Sequence, residues 1–83
     1  MSIFVSGNCG MIKKKDVFSI EIEYPYQTLI KKDKKYSVVA IYYKGKNLEK
    51  DSITLDRRNS FIEACEVFEQ IKKEMEEYFT SEQ

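Results

Sequence analysis

The side chains that could do chemistry in this 83-residue chain are few, and the absence of histidine removes every mechanism that uses imidazole as base or ligand. Cys9 stands in Gly7-Asn8-Cys9-Gly10, just ahead of Lys13, Lys14 and Lys15, whose charges would lower the pKa of a nearby thiol and make it nucleophilic. No base accompanies it, and the same four residues read more simply as an exposed turn. Glu21 and Glu23, two apart on a strand, have the spacing of an acid and base pair or of ligands for a hard cation. They also fit the solvated face of a half-buried strand. Gly7 and Gly10 are too sparse to cradle phosphate, and two cysteines without histidine do not make a zinc site. The expectation is a protein without catalytic, cofactor-binding or metal-ligating residues.

What could position a binding surface is written most plainly in residues 60–79. At 3.6 residues per turn, Phe61, Ala64, Cys65, Val67, Phe68, Ile71, Met75, Tyr78 and Phe79 fall within an arc of roughly 160°. Glu63, Glu66, Glu69, Gln70, Lys73, Glu74, Glu76 and Glu77 fill the other side. Ser60 with Glu63 can form a capping box, Asp56 being a rival cap, and the segment contains no Gly or Pro. On this face Cys65 reads as a small core hydrophobe. A helix with so broad an apolar side needs a layer to lie on.

The preceding residues supply a sheet. Residues 2–6 read as a short strand turned by Gly7 to Gly10; residues 11–16 read as a hairpin rim or a loop. In residues 17–24, Phe18, Ile20, Ile22 and Tyr24 alternate against Val17, Ser19, Glu21 and Glu23, the period of a sheet with one buried face. Pro25 ends that strand or marks an edge, residues 26–30 could continue the edge, and residues 31–35 form a charged turn. Residues 36–43 are apolar or aromatic on both faces, with Tyr36, Val38, Ala40 and Tyr42 opposed to Val39, Ile41 and Tyr43. That pattern belongs to a central strand. Gly45 suits the hairpin turn at residues 44–47, and a last strand at residues 52–55 puts Ile53 and Leu55 on one side.

The fold expected is one small α+β domain over residues 1–83: an antiparallel sheet of about four strands with one long C-terminal amphipathic helix packed on one face. One helix covers one face, which leaves Val39, Ile41 and Tyr43 on the other. An apolar patch there calls for a protein partner or a homodimer mate, unless residues 1–11 fold across it. The chain has 14 basic and 14 acidic residues, unevenly placed. Lysines crowd the turns (Lys13, Lys14, Lys15, Lys32, Lys34, Lys35, Lys44, Lys46) and carboxylates crowd the helix. A basic sheet with tyrosines is one way to hold nucleic acid, lysines meeting phosphates and rings stacking on bases; turn lysines also serve solubility and edge protection. The acidic helix back, with Glu66, Glu69 and Glu77, is a second protein-binding candidate. The apolar run Ile3, Phe4 and Val5 is too short for a signal peptide and no run approaches a membrane span, so a soluble, cytoplasmic protein is expected.

The order Tyr36-Ser37-Val38-Val39-Ala40-Ile41-Tyr42-Tyr43, then Lys44-Gly45-Lys46, a further strand, and Phe61 with Ala64 opening a helix resembles the three-strand-plus-helix DNA-binding domains of phage integrases and plant transcription factors. The resemblance implies a sheet face that enters the major groove; it assigns no residue here. The function expected first is a non-catalytic protein-binding module, a regulatory adaptor or stoichiometric inhibitor, of the kind phages and mobile elements use against host defence nucleases. Nucleic-acid binding is the alternative.

Overall fold

The computed structural model describes residues 3–25, 35–45 and 48–81. It places strands at Phe4–Ser6 (β1), Met11–Lys13 (β2), Val17–Glu23 (β3), Tyr36–Lys44 (β4) and Glu49–Arg58 (β5), then a helix at Phe61–Ser81 (α1). β1 and β2 form an antiparallel hairpin, and β3, β4 and β5 form an antiparallel sheet with β4 in the middle. The central place of β4 follows from its two apolar faces. α1 lies on one face of the three-stranded sheet and also touches β1. The core between them holds Val5, Val17, Val38, Ala40, Leu55, Ile71 and Met75, with Ile12, Ile20, Ile53, Val67, Phe68 and Tyr78 packed around it. This is the expected α+β architecture, but in place of one sheet of about four strands the first strand pairs with β2 in a separate hairpin, and three strands form the main sheet.

Two bulges set which side chains reach that core. Val17 pairs with Tyr42 but Ser19 pairs with Ile41, so Phe18 is an extra residue without an opposite number. Simple alternation puts Phe18 with Ile20 and Val17 with Glu21; the bulge reverses this, burying Val17 and leaving Phe18 51% exposed. On β5, Asp56 pairs with Val38 and Thr54 with Val39, which makes Leu55 the extra residue. Leu55 is nonetheless fully buried in the core.

The turn at Gly7 to Gly10 is seated on this second bulge. The Cys9 and Gly10 N–H groups both donate to the Leu55 carbonyl, at 2.8 and 3.1 Å. Asn8 donates its backbone N–H to Asp56 Oδ2 (2.9 Å) and its Nδ2 to the Arg57 carbonyl (3.0 Å), while the Arg57 N–H donates to Asn8 Oδ1 (2.9 Å). A Cβ on Gly7 would meet the Leu55 carbonyl and the Asp56 side chain, so only glycine lets the turn approach so closely. Residues 1–11 were the candidate cover for the second sheet face. Those of them that are described, residues 3–11, instead pack on the helix side, Val5 entering the core, with the turn at residues 7–10 hydrogen-bonded to the bulge on β5.

The helix begins where Ser60 predicts: the Glu63 N–H donates to Ser60 Oγ at 3.5 Å and the Ala64 N–H to the Ser60 carbonyl at 3.0 Å. Asp56, the rival cap, is buried in β5 and occupied elsewhere. Ala64, Ile71 and Met75 form the buried stripe. Val67, Gln70 and Glu74 face the β1–β5 side, beside Asn8 and Asp56. Phe61, Lys72 and Phe79 overhang β3 on the other side, and Cys65, expected in the core, is only half-buried. The β4–β5 turn runs through Gly45 at φ 67°, the positive value its sequence calls for, and Leu48 follows at φ 57°.

Candidate functional site

The sheet face away from α1 carries Ser37, Val39, Ile41 and Tyr43 of β4 between Ser19, Glu21 and Glu23 of β3 and Lys50, Ser52 and Thr54 of β5. Among the described residues no second layer covers it; α1 is the one helix and it packs on the opposite side. The slab is accordingly thin, its smallest extent being 15 Å.

On this face the first bulge brings together residues distant in sequence. The Phe18 and Tyr43 rings meet edge to face with centroids 5.0 Å apart. Lys50 holds its Nζ 4.6 Å from the Phe18 centroid and 5.8 Å from that of Tyr43. Both rings remain open to solvent, Tyr43 at 43% exposure. Beside them a shallow depression of about 360 Å³ is lined by Phe18, Ser19, Glu21, Ile41, Lys50, Asp51 and Ser52. Rings held edge to face with a cation above them keep their orientation in the free protein, so less side-chain entropy is lost when a partner covers them.

The three residues expected on this surface have different fates. Tyr43 is exposed and Ile41 half-buried at the rim of the depression. Val39 is 2% exposed, between Glu21 and Thr54 on the flanking strands, and in this conformation it offers a partner almost no surface. Phe18 and Lys50 are the residues that sequence reasoning missed. Counting across the turn expected at residues 44–47 would put Leu48 opposite Tyr43, and the observed register puts Lys50 there instead; Phe18 carries no local signal, because its face depends on the bulge.

Glu66, Glu69 and Glu77 are exposed on the solvent side of α1, with Lys72 and Lys73 interleaved among the carboxylates, so the acidic back is not of a single sign. The lysines do not form one surface. Lys14 opens a 3-10 turn (Lys14–Asp16) and is 3% exposed, its N–H donating to the Ile3 carbonyl; this burial removes it from the phosphate-binding set. Lys13 and Lys15 flank a small groove with Ile3 and Tyr78, and Lys44 is exposed at the end of β4. Lys35 lies at the opposite end of the sheet, next to Tyr36, and Lys32, Lys34 and Lys46 fall outside the described residues. Antiparallel strands return each successive turn to the other end of the sheet, which is why turn lysines divide.

The residues weighed for chemistry are not brought together. Cys9 is exposed and free, its Sγ 3.1 Å from Asn8 Oδ1; Cys65 is also free. Among the described residues no three His, Cys, Asp or Glu side chains are grouped to hold a metal ion. Asp56 is 2% exposed and accepts from Arg58 Nε at 2.6 Å and Nη2 at 3.3 Å as well as from Asn8. The hydrogen bond and charge of Asp56 hold the Arg58 guanidinium above its ordinary pKa. Its partners are the neighbouring backbone and one arginine, which is the environment of a structural carboxylate. Among the described residues no helix is long and apolar enough to cross a membrane. No family model, no curated protein and no solved structure matches this chain, so the likeness to integrase-type domains rests on strand order alone.

Proposed function

We propose that this protein is a small non-catalytic protein-binding module whose contact surface is the part of the sheet face around Phe18, Ile41, Tyr43 and Lys50, which no described element covers. The observation that carries the reading is the Phe18–Tyr43 ring pair with Lys50 above it, exposed on a face that no described element covers. Aromatic anchors with a nearby cation are what interface centres are built from, and a module of this kind acts by occupying its target. A regulatory adaptor or a stoichiometric inhibitor fits that description; an inhibitor of a defence nuclease is its narrower form.

Nucleic acid is the second reading, supported by Lys15 and Lys44, which lie at the same end of the sheet as Phe18 and Tyr43. Affinity capture from a bacterial lysate, with and without nuclease, separates the two. A stoichiometric protein retained after nuclease and lost on Tyr43→Ala and Phe18→Ala is the expected result, each substitution weakening binding by about 2 kcal/mol, some thirtyfold. Capture that vanishes with nuclease, with affinity falling steeply as salt rises, supports the second reading and overturns the first.

A further inference from the structure

We infer that the outer edge of β3 pairs with the same edge of a second copy of this chain, making a twofold dimer whose sheet runs continuously through both molecules. β3 is the end strand of its sheet, and among the described residues nothing pairs with its outer side. The backbone groups of seven residues on such an edge are a template for another strand. β3 carries the usual edge protection in Glu21, Glu23, the bulge at Phe18 and Pro25 just beyond its end, but it is also bordered by rings. Phe18 and Phe79 are exposed at one end, Tyr24 and Phe61 at the other, and a groove of about 250 Å³ at the first end is lined by Val17, Ile20, Met75 and Phe79, with Lys72 and Glu76 at its rim. Tyr24 stacks on Phe61 (centroids 5.9 Å apart), so the far end is a built surface.

The sequence of β3 selects a second copy as the occupant. A twofold axis centred on Ile20 opposes Ile20 to itself and Glu21 to Ser19, residues that share a face of the sheet. Centring it on Glu21 would oppose Glu21 to itself, and centring it on Ile22 would oppose Glu21 to Glu23. Only the first arrangement keeps carboxylates from facing each other directly. The same axis brings the Tyr24–Phe61 end of one copy to the Val17–Phe79 end of the other, so each aromatic end meets an aromatic end. A seven-residue strand pair spans only about 23 Å, and these rings are what extend the contact toward the roughly 800 Å² per partner of a stable interface. A net charge of zero offers no overall repulsion to self-association.

The two contacts adjoin at Phe18, but Tyr24 and Phe79 belong to the edge alone and Tyr43 and Lys50 to the sheet face alone, so substitutions there test each contact independently. The test is the mass of the full chain by light scattering across concentration, with hydrogen exchange read on the β3 amides of the same samples. The mass should rise from 9.8 kDa to twice that, with the outward β3 amides at least about tenfold slower in the dimer. Phe79→Glu and Tyr24→Lys, both at exposed positions and checked for folding by circular dichroism, should return the monomer without changing capture through Tyr43. A single 9.8 kDa species up to about 200 µM overturns the inference. So does a dimer that both variants leave intact, or one in which β4 and β5 gain protection and β3 does not.

Discussion

Asn8 does more for this fold than its exposed position in a turn suggests. Its amide exchanges two hydrogen bonds with the Arg57 backbone, and its own N–H reaches the buried Asp56 carboxylate, so one residue ties the N-terminal hairpin to the last strand. Asn8→Ala keeps the backbone bond to Asp56 and loses the two made by the side chain. The expected cost is about 1–2 kcal/mol, seen as a lower urea midpoint with an unchanged slope, because each such bond has a modest net value. Asn8→Asp should cost at least as much, since it keeps the Arg57 N–H bond but sets an anionic oxygen against the Arg57 carbonyl and near the buried Asp56 carboxylate. Arg58 adds no pH sensitivity at working pH. A cation whose pKa is raised on folding contributes fully below its unfolded value and loses that contribution only as pH rises through the folded one, here above the ordinary arginine range.

Among the elements, β3 departs furthest from its sequence pattern. Residues 17–24 alternate without a break, yet the bulge at Phe18 exchanges the roles of the first two residues. The two readings differ in what asparagine would do. Val17→Asn buries an amide in the core and should cost about 2–4 kcal/mol, whereas Phe18→Asn, at an exposed ring, should cost less than about 1 kcal/mol while weakening partner binding. Thermal or denaturant unfolding of the pair checks this, and the opposite order would restore the unbroken alternation. Leu48 is a second local departure, a branched side chain held at φ 57° after Gly45. The left-handed region costs such a residue about 1 kcal/mol or more, so Leu48→Gly should raise stability by about that amount in the same unfolding experiment.

At the scale of the whole molecule, the two candidate protein-binding surfaces lie on opposite sides of a slab only one sheet and one helix thick. A partner of standard size covers one side or the other. If the sheet face is the contact, Tyr43→Ala should abolish capture while Glu69→Lys changes affinity by less than about threefold, since an exposed charge outside an interface contributes little. Titration calorimetry with the captured partner measures both, and the reverse pattern would move the contact to the helix back.

Residues 60–79 declare a helix by their period, and residues 36–43 declare a central strand by being apolar on both faces; the structure keeps both, because each signal is local and repeated over many side chains. Lys14, Val39 and Phe18 were beyond such reading. Lys14 is buried in a 3-10 turn whose first N–H bonds the Ile3 carbonyl, and Val39 is buried only in the assembled sheet, neither of which a local pattern states. Phe18 meets Tyr43 and Lys50 only because a bulge sets its face, and a bulge is a property of two paired strands that neither sequence states alone. Composition and periodicity determined the layers and the central place of β4. Tertiary pairing decided which rings face water, and with them where a partner would bind.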